Sequence, residues 1–252
     1  MVNISKSLNY SWAMPIVKRH FLPLGLNILN IVEVGSRDAL DAISFSLNFD
    51  CTVYAFEPDP INILECKKNI SKFKATEKVK LYELALSDKC GIFDFYSVDP
   101  NLSQNRGASS FYLINFNNRS LSDPDFRRDP IQKKIKVKVA RFDMLELPTP
   151  DLLLLDVQGS ELLVCKGFGE KIRNVSAIIL ETSFSQNYFL SSKFHSLHNY
   201  LINHGFIFAG TNQGGEVSEI LPKQNLFKRF FNLYEPDFDC IYLKSSVVAS
   251  VR

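Results

Sequence analysis

Short apolar runs alternate with amphipathic stretches along most of this chain, and the two periods predict strands and helices in regular succession. Ile28–Val34 and Thr52–Phe56 read as strands, as do Val79–Leu84, Leu152–Leu155 and Ala177–Leu180. The four leucines at 152–155 are apolar on both faces, as a central parallel strand must be. Between the strands, Ala39–Leu47 places Leu40, Ile43 and Leu47 on one side of a helix. A second helix runs from Pro60 to Lys72, with proline where a first-turn N–H would have been unpaired anyway. Ser160–Lys166 predicts a short helix ended by Gly167, and Lys193–His204 a longer one ended by Gly205. Phe206–Ala209 and Cys240–Leu243 close the chain as strands. This order predicts an α/β fold, a doubly wound parallel sheet with helices on both faces.

Two regions depart from the alternation. Residues 1–27 read as an N-terminal helical extension, with Trp12, Ile16, Val17 and Phe21 at helical spacing; residues 28–252 read as one domain. Gly91–Val98 and Ile135–Val139 alternate like strands, and residues 99–134 between them are polar, with Phe111, Tyr112 and Phe116 embedded. So long a connection in a compact domain predicts a lid or insertion on the ligand side of the sheet.

Composition adds bounds. The apolar share of 46% is that of a globular protein, and a formal charge of +2 implies no nucleic-acid partner. The five cysteines, at 51, 66, 90, 165 and 240, are scattered and never in C-x-x-C spacing, which predicts free thiols in a reducing cytoplasm. The first 21 residues lack the apolar core of a signal peptide, and no apolar run approaches the ~20 residues of a membrane span.

The chemistry concentrates where strands end. Glu33 and Gly35 close the first strand in IVEVGSRDALDA (31–42), and Glu57 closes the second in VYAFEPDP (53–60), 22 positions after the glycine. An acid at that distance from a strand-to-helix glycine turn suits a ribose diol; the alternative is a strand-end acid bonded to loop amides. A dinucleotide would bring a pyrophosphate and want three glycines, whereas this turn has one. S-adenosylmethionine (SAM) has no phosphate, and a single glycine lets the backbone pass close to it. Glu33 could attract its ammonium, and Asp38 either caps the next helix or faces the ligand. Ser36 and Pro58 belong to the same two turns.

In this order the segments resemble the FkbM-type SAM-dependent methyltransferases, from about Ile31 to Gly210. VEVGSRDALDA, VYAFEPDP, LYELALSD (81–88), GASSF (107–111), VKVARFDML (137–145) and IILET (178–182) carry the resemblance. LLLLDVQGSELLVCKGF (152–168) is its most specific segment, although Gln158 stands where the family usually has an acid, and Glu33 where its first motif has aspartate. The resemblance implies a Rossmann-like, mostly parallel sheet of seven strands, the class I methyltransferase fold. SAM is the implied cofactor, with Glu33, Gly35, Ser36, Asp38, Glu57, Pro58, Ser87, Asp88 and Asp156 as its expected contacts. Ser87 and Asp88 would lie near the adenine.

A hydroxyl acceptor needs a group to take its proton. Asp156, at the end of the fourth strand, is the first candidate catalytic residue; the alternative is a helix cap. Glu161 sits in the first helical turn, where the dipole favours an acid in any case. Glu181, on the fifth strand, could be base, acceptor ligand or metal ligand. Ser109, Ser110, Tyr112 and His195 are candidate substrate contacts. His195 and His198 are three apart, also a metal spacing, but no third ligand falls into a pattern; a divalent metal is possible and not indicated. Lys133, Lys134, Lys136, Lys138 and Arg141 put charge mostly on one strand face, read as solvated or as a grip for a phosphate or nucleotide-linked substrate. The expected partner is a small-molecule acceptor (a sugar, sugar nucleotide or metabolite), and a homo-oligomer is possible. The reaction expected is O-methylation. The alternatives are a nicotinamide-dependent oxidoreductase and a SAM-binding module without catalysis.

Overall fold

A computed structural model describes residues 11–103, 105–117, 131–213, 216–217 and 237–249. Its main sheet contains β1 (Asn30–Val34), β2 (Thr52–Phe56), β3 (Val79–Tyr82), β7 (Leu152–Leu155), β8 (Ala177–Ser183), β9 (Phe206–Gln213) and β11 (Asp237–Lys244), and the two-residue β10 (Glu216–Val217) extends it at one edge. The order is β10-β9-β11-β8-β7-β1-β2-β3. β3, β2, β1, β7 and β8 are mutually parallel; β11 runs antiparallel between β8 and β9. The sheet is therefore the expected seven-stranded, mostly parallel one, with one short strand added.

A separate three-stranded sheet, ordered β4-β6-β5, is built from β4 (Ala85–Leu86), β5 (Gly91–Val98) and β6 (Gln132–Ala140). The expected third strand, Val79–Leu84, is shorter than its pattern suggested, since the chain turns at Glu83–Leu84 into β4. β8 is longer: it continues past Leu180, so Glu181 lies inside the strand, opposite Asp239 of β11.

The helices follow the apolar spacing. α1 (Met14–Ile16) continues through a π-helical turn and a 3-10 turn to Gly25, which has φ +72°. α2 (Leu40–Asn48) and α3 (Pro60–Lys72) follow β1 and β2; Asp59 caps α3 by accepting from the Ile61 N–H at 2.9 Å. α4 (Glu161–Gly167) runs on into a 3-10 turn rather than ending before Gly167. Position 167 takes a glycine because a Cβ there would lie 2.0 Å from the backbone carbonyl oxygen of Ser87. α5 (Phe194–Asn203) ends ahead of Gly205, whose φ is +82°.

Two cores cover the sheet. Ile16, Val17 and Phe21 of the N-terminal segment pack with Ile31, Ile43, Val53 and Leu154 on one face. On the other face Val32, Leu153, Leu155, Phe168 and Phe194 pack together, with Phe142 and Phe168 stacked at 4.1 Å. Within the expected insertion, Ser110 bridges to Tyr96 and Ile114 to Tyr188, which ties the described residues 105–117 down. Residues 118–130 of that expected lid lie outside the described residues.

Candidate functional site

β1 and β7 are neighbours from which the chain departs in opposite directions across the sheet, the topological switch point where open α/β sheets bind ligands. The turns that follow these strands touch. Gly35 has φ +89°, and a Cβ there would lie 1.9 Å from the Asp156 carbonyl oxygen, so no other residue fits that position without a shift of backbone. At this point a cavity of about 300 Å³ opens, at the lower end of the range typical of small-molecule sites.

Carboxylates dominate one part of its lining: Glu33, Asp38, Asp41, Glu57 and Asp156, with Arg37 and Arg106 the cations among them. Burial is the main cause that pushes Glu33 well above the usual carboxylate range, with Asp41 adding repulsion; the Ser36 hydroxyl donates to it at 2.6 Å. Burial likewise raises Glu57 to about 7 and Asp41 to about 6. The Oδ1 atoms of Asp41 and Asn62 are buried at the cavity wall without a hydrogen-bond partner among the described residues. Phe56, Leu86, Phe95 and Phe111 form an apolar part of the wall, with Phe95 and Phe111 edge to face at 5.6 Å. Trp12 borders the cavity from the N-terminal segment.

The backbone donors of the β1 turn are already used. Gly35 and Ser36 N–H groups both donate to the Phe56 carbonyl, at 3.0 and 3.2 Å. The Arg37 N–H donates to Glu57 Oε2 at 2.8 Å, and the Asp38 and Ala39 N–H groups donate to the Ser36 carbonyl. Glu57 Oε1 accepts from the Asp59 N–H at 2.9 Å, so both Glu57 oxygens are bonded to loop amides while the side chain also lines the cavity. Asp38 has two roles: it accepts from the Leu40 N–H at the start of α2, and it borders the cavity.

Of the expected contacts, Glu33, Gly35, Ser36, Asp38, Glu57, Pro58, Ser109 and Asp156 therefore converge on the cavity. Others do not. Ser87 and Asp88 turn away: the Ser87 N–H bonds β6 at Ala140 and the Asp88 carbonyl accepts from Arg141, leaving Ala85 and Leu86 of the same segment at the wall. Ser110 is fully buried, its hydroxyl donating to the Gln158 carbonyl at 2.7 Å, and Tyr112 packs against the Val98–Ile114 cluster. His195 is exposed beside Phe184 and Phe194, and His198 shares a hydrogen bond with the Tyr242 hydroxyl. Neither histidine borders the cavity. Lys134 and Lys136 pair with Asp94 on the small sheet.

Glu161 and Glu181 border a second, smaller recess instead. Glu161 Oε1 accepts from the Val157 and Gly159 N–H groups, holding the loop after β7. Asp156 does not cap α4; its Oδ1 accepts from Gln158 Nε2 at 2.6 Å, and the same nitrogen donates to Glu181 Oε2 at 2.7 Å. Among the described residues, no group of three or more His, Cys, Asp or Glu side chains is arranged to hold a metal ion, and no helix is long and apolar enough to cross a membrane.

Residues 33–208, from the end of β1 to β9, match the Methyltransferase FkbM domain. The chain belongs to the FkbM methyltransferase family. Over 163 residues it is 28% identical to the 2-O-methyltransferase NoeI of Sinorhizobium fredii (strain NBRC 101917 / NGR234); that match spans 63% of this chain and 65% of the relative. The crystal structure of Methyltransferase FkbM from Methylobacillus flagellatus KT shares the fold at 13% identity, with a TM-score of 0.50 over 87% of this chain and 45% of that one. Apart from Trp12, the residues that line the cavity fall within the matched residues 33–208.

Trp12, Asp41, Asn62, Phe95 and Arg106 border the cavity and were not singled out from the sequence as contacts. Their alternation and helical spacing mark them as core or surface positions. They come from the N-terminal segment, α2, α3, β5 and the turn at 106–108, and only tertiary packing turns them toward one space.

Proposed function

We propose that this chain is a SAM-dependent O-methyltransferase acting on a hydroxyl of a small polar acceptor: a sugar, sugar nucleotide or other metabolite. The observation that carries the reading is the character of the β1 turn, acidic and with its backbone donors committed. A pyrophosphate would find no free N–H cradle at residues 35–39 and would face five carboxyl groups, which argues against a nicotinamide dinucleotide. A cofactor with a sulfonium, an ammonium and no phosphate is attracted by the same lining.

The residues present fit that cofactor. Glu33, Asp38 and Asp41 would hold the ammonium end, Glu57 and Asn62 the ribose, and Phe56, Leu86, Phe95 and Phe111 the adenine. When bound, SAM would supply an electrophilic methyl group for the acceptor oxygen, its sulfur taking the electron pair of the carbon–sulfur bond. Asp156 then takes the proton released from the acceptor hydroxyl, and Gln158 orients its carboxylate. Trp12 and Phe111 shield the site from water. The 28% identity to NoeI favours oxygen as the accepting atom. Incubation with SAM labelled in its methyl group and a library of hydroxylated acceptors tests this: label passes to an acceptor hydroxyl, and Asp156→Ala abolishes transfer while retaining SAM binding. Label found only on nitrogen acceptors, or full turnover in Asp156→Ala, would sink the assignment.

A further inference from the structure

Next to the cavity lies a recess of about 20 Å³, room for one group the size of a water or a hydroxyl. Its lining contains no purely aliphatic side chain; Gln158, Glu181, Ser183, Asn187, Tyr188 and Asp237 supply polar atoms. Gln158 links the recess to the cavity: it lines the recess, and its amide nitrogen reaches both Glu181 of the recess and Asp156, which lines the cavity. The orientation of that amide is set from its far end, where the Tyr188 hydroxyl donates to Gln158 Oε1 at 2.7 Å.

Asn187 is the residue that points to a ligand. It is 3% exposed, and its Nδ2 donates to Asp237 Oδ1 and, at 3.4 Å, to the Ser183 hydroxyl. Those bonds fix which end of the amide is oxygen. That oxygen is buried without a donor among the described residues, on a residue that lines the recess. A buried amide oxygen left unpaired is destabilising, and a donor entering the recess would relieve this. In the same lining, burial and the surrounding acids Asp156, Asp237, Asp239 and Glu161 push the Glu181 carboxyl well above the usual carboxylate range, toward its proton-donating form. An acceptor and a donor in one lining complement a hydroxyl, which gives one hydrogen bond and takes others. They do not suit a carboxylate or a methyl group.

We propose that this recess binds a second hydroxyl of the acceptor, next to the one presented to Asp156, so that the acceptor is a vicinal diol of the kind carried by a sugar ring. The role assigned to Asp156 rests on the methyltransferase reading; binding in the recess does not. One wall residue touching both carboxyl groups sets the two hydroxyls side by side, and an acceptor lacking the second one loses its register.

Saturation-transfer NMR on the full chain, with a panel of methyl glycosides and their single deoxy analogues, tests the proposal. At least one glycoside with a vicinal diol binds, and removal of one of its two hydroxyls weakens binding about tenfold, equivalent to about 1.4 kcal/mol. Asn187→Leu abolishes the signal. Because Asn187 also braces Ser183 and Asp237, Ser185→Trp serves as a second variant: Ser185 is exposed at the edge of the recess, and an indole there, far larger than the recess itself, covers its mouth. No transfer to any glycoside, or binding undiminished in Ser185→Trp, overturns the proposal. SAM affinity measured in parallel separates the two readings. Glycoside binding without SAM binding removes the methyltransferase and keeps the subsite; SAM binding without glycoside binding does the reverse.

Discussion

Gln158 donates from one amide nitrogen to Asp156 at 2.6 Å and to Glu181 at 2.7 Å, so a neutral side chain joins two acids that would otherwise repel. Gln158 does so from a left-handed backbone, φ +55°, followed by Gly159 at φ +98°. A strained turn held in place at a ligand site is what positioning a side chain against its backbone preference looks like.

Gln158→Leu leaves both carboxyl groups and the Tyr188 hydroxyl without this partner, and is expected to cost about 1–3 kcal/mol in urea unfolding. Gln158→Glu adds a third acid at the same point. Its loss is expected to be larger at pH 8 than at pH 5.5, because burial holds Asp156 and Glu181 above the usual carboxylate range and ionisation adds repulsion as pH rises. An equal loss at both pH values would show that the cluster is not electrostatically coupled.

Gly35 and Gly25 offer a matched pair. Both have positive φ, but a Cβ at Gly35 meets the Asp156 carbonyl at 1.9 Å, while at Gly25 nothing lies within 4 Å. Gly25→Ala should cost about 1–2 kcal/mol, the backbone term alone. Gly35→Ala should cost about 3 kcal/mol or more and abolish ligand binding, because two backbones must separate. Thermal melts of the two variants check the difference.

Burial raises Glu57 from 4.5 to about 7, Glu161 from 4.5 to about 7, and Asp41 from 3.8 to about 6. The folded state therefore holds more protons than the unfolded chain between roughly pH 4 and 7, and stability falls as pH rises through that window. Denaturant midpoints of the ligand-free protein should decline from pH 5.5 to 7.5, and Glu57→Gln should flatten the slope. A cationic ligand favours the ionised acids, so binding should release protons near pH 6.5. Calorimetry in buffers of different ionisation enthalpy measures that release, and uptake would contradict it.

Trp12 is the chain's one tryptophan and borders the cavity. Its fluorescence should change on titration with SAM, and Trp12→Phe should remove the signal while leaving the calorimetric affinity within about threefold. Emission that stays constant under saturating ligand would place the ligand elsewhere.

The fold was legible because its signals are local. Val-, Ile- and Leu-rich runs ending in Glu33, Glu57 and Asp156 mark strands, and the order of the segments marks the sheet. The site was legible where the same strand ends carry it. Ser87, Asp88 and His195 failed as cavity contacts because spacing along a chain does not say which way a turn faces: the segment 85–88 pairs with β6 and shows the cavity Ala85 and Leu86. Trp12, Phe95 and Arg106 come from parts of the chain far from the two motifs and meet them only through tertiary packing. The recess at Asn187 had no sequence signal at all, because it depends on β8 running on past Leu180 and pairing with β11.

Isothermal titration of the full chain with SAM and, separately, with NAD tests the central claim most directly. The account predicts one-to-one binding of SAM, weakened about tenfold or more by Asp41→Asn, and no heat with NAD. Binding of NAD with no binding of SAM would contradict it.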